Sequence, residues 1–149
     1  MFEIVRRAGS ELSAEDLHRL LYLRIGVLVV EQGLAYADVD GLDLLPSTVH
    51  FWTSAGPEAT SCLRIVVDGS DLRVGRVCTS RDHRRQGLSV SLLRASVAAF
   101  PKRKLIVDGQ TRIADLYRQV GFSVDGEEFL ENGIPHLHMR RDPSSSGPK

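Results

Sequence analysis

One stretch of this 149-residue chain combines residue types that suit a phosphate: Val74-Gly-Arg-Val-Cys-Thr-Ser-Arg-Asp-His-Arg-Arg-Gln-Gly-Leu-Ser89. It opens as a strand, breaks into a basic turn with the spacing Arg84-x-x-Gly87-x-Ser89, and runs into a helix predicted over residues 88–100. A helix N-terminus carries unpaired backbone N–H groups and a partial positive charge. Gly87 lets that backbone approach a ligand closely, and Arg81, Arg84 and Arg85 stand beside it, so the turn fits a pyrophosphate. An ordinary solvated basic turn has the same composition. A second set of residues with chemistry lies near the end of the chain. His136 and His138 share one face of a predicted strand, close to Glu131, but two histidines and one acid at a turn are thin grounds for a metal site.

The elements that must position these groups follow from spacing. Residues 2–6 form a short opening strand. Ser13 followed by Asp16 has the form of a capping box. Leu17, Leu20, Leu21, Val27 and Leu28 then recur at helical intervals up to about Gly33. Arg24 falls on that apolar stripe and must reach an acid or a carbonyl, either as a structural anchor, the favoured reading, or as part of a site. Residues 34–48 are irregular and acidic, with Asp38, Asp40 and Asp43 around Gly41. The offsets do not suit a calcium loop, so the segment reads as solvated. Residues 49–53 are strand-like. Residues 62–67 and 72–79 flank Asp68-Gly69 as a hairpin. Pro101 stops the helix after Gly87. Residues 105–107 have the continuous apolar pattern of a strand buried on both faces. Thr111 is expected to cap a further helix whose stripe is Ile113, Leu116, Tyr117 and Val120, ended by Gly121. Residues 122–124 and 136–140 close the sheet. The result is an α/β domain over residues 1–141, a mixed sheet flanked by helices, with a disordered tail at 142–149.

Nineteen basic and nineteen acidic residues cancel. No global field therefore favours nucleic acid or a membrane, and with no apolar run long enough to span a bilayer the chain reads as cytoplasmic. Cys62 and Cys78 sit in apolar strands, and buried free thiols are the simplest account, with a Cys62–Cys78 disulfide left open.

The Arg84-x-x-Gly87-x-Ser89 turn resembles the coenzyme A-binding segment of the GNAT acetyltransferase superfamily, with Ser89 where Gly or Ala is usual. The segment from Gln110 through Tyr117 to Gly121-Phe122 is similar to that family's next motif. The segments 23–32, 36–43 and 128–139 resemble the ElaA-type branch, which usually has Phe at the place of Leu28. The resemblance spans nearly the whole chain and implies a GNAT fold with a sheet of about six to seven strands. It implies acetyl-CoA as acyl donor, held by Val77, Cys78, Thr79, Arg84, Arg85, Gln86, Gly87, Leu88, Ser89, Gln110 and Tyr117, with no metal. Tyr117 is implied to protonate the departing thiolate, and a Val77 N–H to steady the oxyanion.

Glu31, acting through water, is the expected base. With Asp40 and His136 it also forms the expected acceptor site, and Asp38, Asp40 and Asp43 would attract a cationic amine. The implied activity is N-acetylation of a primary amine, small-molecule or peptide, by direct attack, in a monomer or homodimer. A non-catalytic acyl-CoA-binding sensor or interaction module is the rival reading.

Overall fold

The computed structural model describes residues 2–144. Eight strands form one mixed sheet: β1 Val5–Ala8, β2 Val49–Ala55, β3 Glu58–Asp68, β4 Asp71–Thr79, β5 Leu105–Gln110, β6 Ser123–Val124, β7 Phe129–Glu131 and β8 Ile134–Arg141. Their order is β1-β2-β3-β4-β5-β8-β6, with β7 paired to β8. The short β7, which hairpins onto β8 around Asn132-Gly133, is the strand that raises the expected six or seven to eight. All pairings are antiparallel except β4 with β5.

Three α-helices cover the sheet: α1 Ala14–Arg24, α2 Leu88–Ala99 and α3 Ala114–Arg118. Ser13 caps α1 as its spacing predicts, accepting from the Asp16 N–H at 3.0 Å, while Asp16 accepts in return from the Ser13 N–H. The expected long first helix changes character after Arg24, where residues Ile25–Glu31 continue as a π-helix. The helix expected from Thr111 is a 3-10 turn followed by five residues of α3, and no Thr111 side-chain bond caps it. Of the expected disordered tail, residues 145–149 lie outside the described residues. Residues 142–144 have no regular structure, but the Ser144 N–H donates to the Pro101 carbonyl at 2.7 Å.

Alternation along the strands separates two cores. Phe51, Leu63, Ile65 and Val74 face α2 and α3 with Leu92, Leu93, Tyr117 and Met139. Trp52, Cys62 and Cys78 face α1 with Leu20 and Leu23. Neighbours in sequence thus point to opposite cores, as a strand's period of two requires. Cys62 and Cys78 are cross-strand partners with their sulfurs 3.7 Å apart, and both are free thiols.

The carboxylates of the acidic segment are not free in solvent: Asp38 and Asp43 are buried, and Asp40 is paired. Arg24 on α1 donates to Asp43 at 2.6 Å, and its other nitrogen lies 2.9 Å from Asp38. Arg64 on β3 contacts Asp43 at 3.0 Å and makes a forked pair with Asp40. Arg76 on β4 reaches Asp38 and Asp40, each at 3.2 Å, and its guanidinium stacks over the Tyr36 ring. His50 bonds the Asp43 carbonyl, and burial pushes its pKa down. Three arginines and three aspartates close a neutral cluster across α1, β3, β4 and the 36–43 loop. Arg24 serves as the structural anchor.

Hydrogen bonds from Arg64, followed by the Leu42 N–H, hold the Asp40 carboxyl down at about 2. Burial alone would raise Asp43, yet the bonds from Arg24 and Arg64 bring it below its ordinary value. An unfolded aspartate titrates near 3.9, so this contribution to stability is complete above about pH 4 and disappears as pH falls through about 2. Urea midpoints measured from pH 5 down to about 2 should therefore fall steeply for the wild type. They should fall less for Asp40→Asn, which lacks the carboxylate at every pH.

Candidate active site

β4 and β5 pair only at Leu72–Leu105, Arg73–Ile106 and Val74–Val107. Beyond that point β4 continues along β3 to Thr79, and β5 continues along β8 to Gln110. The two parallel neighbours therefore separate, and a cleft of about 1180 Å³ opens between them.

A one-residue irregularity in β4 decides what that cleft presents. The Leu72 N–H donates toward β5, to Lys104, whereas the Ser80 N–H donates the other way, to Thr60 of β3. An uninterrupted strand would point both even-numbered N–H groups the same way. The register with β3 slips between Cys62 and Arg64, where Arg76 takes a positive φ of 53°. That bulge reverses the alternation. The N–H groups of Val77 and Thr79 consequently turn from β3 toward the open side, in the strand that lines the cleft.

The basic turn sits at the mouth. Arg85 and Gly87 both have left-handed φ values, 63° and 75°. No side chain caps α2 at Gly87, which leaves its first-turn N–H groups for a ligand. Arg84, Arg85, His83 and Arg112 surround this end of the cleft. Ser89 takes a definite part: its hydroxyl shares a 2.8 Å hydrogen bond with Thr79, which in turn bonds Ser61. The serine thus ties the first turn of α2 to the end of β4. Leu88 is buried beneath the turn, while Gln86 is exposed and lies off the cleft wall.

Tyr117 of α3 lines the cleft from the far side and is 3% exposed. Its ring meets Phe122 edge-on at 5.9 Å. Among the described residues its hydroxyl has no hydrogen-bond partner, and burial pushes the phenol's pKa up. Gly109 on β5 makes the room: a Cβ there would stand 2.6 Å from the Tyr117 ring. A glycine inside an apolar strand is a sequence sign of such close approach. Gln110 also lines the cleft, accepting from Arg112 at 2.9 Å and donating weakly to Gln32 at 3.4 Å.

The expected acceptor residues divide. His136 does line the cleft; its Nδ1–H donates to the Ile134 carbonyl, and its Nε2 lies 3.4 Å from Glu131. His138 faces Asp108 instead, at 2.7 Å, so the two histidines do not converge. Asp40 is corrected: it is absent from the cleft wall, and Arg64 and Arg76 occupy its carboxylate. Asp38 and Asp43 are buried in the same cluster and cannot draw in an amine. Glu31 lines the cleft, but both its oxygens are engaged by Arg84 at 2.7 Å. That hydrogen bonding holds its carboxyl below the usual range and weakens it as a base. Gln32 and Arg112 lie inside the family-like segments 23–32 and 110–122 but carry no expected site role, and Asp108 lies outside those segments; all three are wall residues.

A parted pair of parallel strands beside an uncapped helix N-terminus is the arrangement that the GNAT resemblance implies. Residues 47–143 match the family described as "Acetyltransferase (GNAT) domain", and the chain belongs to that family. It is 42% identical over 150 residues to UPF0039 protein Rv2851c of Mycobacterium tuberculosis, covering 97% of this chain and 96% of that protein. To Protein ElaA of Escherichia coli it is 32% identical, covering 89% and 92%. The crystal structure of Escherichia coli ElaA superposes with a TM-score of 0.88 over 95% of this chain and all of that one, at 30% identity. An acyl-CoA N-acyltransferase from Pseudomonas aeruginosa gives 0.89 over 95% and 99%, also at 30% identity. Among the described residues, no helix is long and apolar enough to cross a membrane.

The Gly109–Tyr117 contact has a direct test. Gly109→Ala should destabilise the protein by about 1–3 kcal/mol in urea unfolding, because the tyrosine ring or the strand must shift. Gly75→Ala, where open space surrounds the added methyl, should cost less.

Proposed function

We propose that this protein is an acetyl-CoA-dependent N-acetyltransferase acting on a primary amine, small-molecule or peptide, by direct attack. The observation that carries the reading is the bulged β4. It turns two backbone N–H groups into a cleft that has a free helix N-terminus at one end and an unpartnered phenol in its wall.

Each part of the cleft fits one part of the donor. Acetyl-CoA supplies an activated acetyl thioester, whose carbonyl oxygen gains negative charge on attack and whose sulfur departs as a thiolate. The α2 N–H groups and the cations Arg85 and Arg112 suit the pyrophosphate. Val77 and Thr79 offer main-chain donors along the arm. The Val77 N–H is the group assigned to the developing oxyanion, where one preorganised donor is worth a large factor in rate.

Tyr117 is assigned to the departing sulfur. Its burial keeps the phenol protonated through neutral pH, so the donor is always loaded. A phenol, ordinarily at about 10, is already a weaker acid than a thiol, ordinarily at about 8.5, and the burial widens that gap. Its first contribution is therefore a hydrogen bond to the forming thiolate rather than early proton release. On the acceptor side, His136 and Gln110 are the groups assigned to the amine, with Glu131 supplying negative potential for an ammonium; Asp108 is already held by Arg73 at 2.9 Å and His138 at 2.7 Å.

Two measurements test this. Acetyl-CoA should raise the melting temperature, equivalent to about 2.7 kcal/mol at a hundredfold excess over its dissociation constant. Gly87→Asp should abolish that shift, since it strains a left-handed position and sets a carboxylate where the phosphates bind. In amine-dependent release of coenzyme A, Tyr117→Phe should lower kcat by about 10²–10³-fold while leaving acetyl-CoA affinity nearly intact. Equal turnover in the two proteins would remove Tyr117 from the reaction.

A further inference from the structure

We infer that Glu31 is a positioning residue for the phosphate-binding turn, acting through Arg84, and is not the base that takes the amine's proton. The inference rests on the acyl-CoA reading for its ligand but on separate geometry for its residues. Glu31 and Arg84 stand 53 positions apart and form a forked pair: Arg84 Nη1 and Nη2 each donate to one Glu31 oxygen at 2.7 Å. The Arg84 Nε–H donates to the Thr79 carbonyl at 3.1 Å. Three of the five guanidinium N–H groups are thereby directed, and the plane of the group is set. Arg81 leans on the same carboxylate from 3.9 Å.

What this clamp holds is a turn that would not hold itself. Arg85, directly after Arg84, has φ 63°, which a residue with a Cβ adopts only where its surroundings impose it. Gly87 follows at φ 75°. The turn is exposed and has few apolar contacts of its own, so the ion pair at its start and the buried Leu88 at its end fix its course. Exposed ion pairs add little to global stability. The use of this one is local: it orders the backbone that must meet the phosphates.

The π-helix explains why Glu31 is in reach. Closing hydrogen bonds five residues apart instead of four turns the end of the segment about its axis. Glu31 thereby meets the turn after β4 while its neighbour Gln32 meets Gln110 at the end of β5. Consecutive side chains thus brace both lips of the cleft. A carboxylate held by a fork of this kind is the wrong group to accept a proton, and a good one to align an arginine.

The test compares wild type with Glu31→Gln and with the reversed pair Glu31→Arg/Arg84→Glu. Amide hydrogen exchange on the ligand-free proteins, calorimetric titration with coenzyme A, and kcat at saturating acetyl-CoA from about pH 6 to 9 are the readouts. Glu31→Gln should speed exchange across residues 84–89 and weaken coenzyme A binding by about tenfold. Its kcat at saturating donor should stay within about twofold, with the acidic limb of the pH profile kept. The reversed pair should recover part of the lost affinity. Unchanged exchange and affinity would overturn the inference, whether kcat is unaffected or falls by about a hundredfold with loss of the acidic limb, the second result marking a base. If wild type itself fails to bind coenzyme A, the acyl-CoA reading is what fails, and the exchange rates still decide whether Glu31 orders the turn.

Discussion

The rest of the structure depends on the cluster of Arg24, Arg64 and Arg76 with Asp38, Asp40 and Asp43, in which Arg24, Arg64, Asp38 and Asp43 are buried and Arg76 and Asp40 close its outer edge. Burying charge is expensive, and removing one partner from a buried pair typically costs about 3–5 kcal/mol. The cluster meets that demand by mutual neutralisation, with each aspartate shared between two arginines. Its reach matters as much as its strength. It ties α1, β3 and the 36–43 loop to Arg76, the residue whose positive φ makes the β4 bulge. Gly9 completes the arrangement from the 3-10 turn after β1, since any Cβ there would run into the carbonyls of Asp43 and Leu45.

From the bulge onward the consequences are geometric. Reversing the alternation sends Cys78 to the α1 core and turns the N–H groups of Val77 and Thr79 toward β5. β5 has by then moved away to follow β8, so those groups meet a cleft instead of a neighbouring strand. Backbone polar groups freed from a sheet need a partner, and an extended ligand arm can supply it. The ion cluster thus reaches function through the backbone, without a charged atom of Asp38, Asp40 or Asp43 on the cleft wall.

Charge inside the cleft is largely paired in two halves. Arg84 and Arg85 stand with Glu31 toward α2, while Asp108, paired with Arg73 and His138, and Glu131 beside His136 lie toward β5, β7 and β8. Tyr117 stands between the halves in a space that Gly109 leaves open. Its position is set by packing with Phe122 and not by any hydrogen bond of its hydroxyl, which leaves that hydroxyl available.

Several elements follow from residues close together in sequence, although the Thr111 cap and an unbroken first helix do not form. The Ser13 cap, the Asp68-Gly69 hairpin, the helix after Gly87 and the strand pattern of β3, β4 and β5 are local matters of backbone preference and periodicity. The sequence by itself therefore determined the mixed α/β layout, the family, and the basic turn at a helix start. Only the tertiary structure decided what the acidic loop does. Asp38, Asp40 and Asp43 look solvated in sequence because their partners come from residues 24, 64 and 76, which no local window contains. The bulge at Arg76 was equally hidden, since a positive φ at an arginine has no compositional sign. The roles of Asp40 and Glu31 turned on the same fact: a carboxylate's chemistry is set by which cations the fold brings to it, and those cations are distant in the chain.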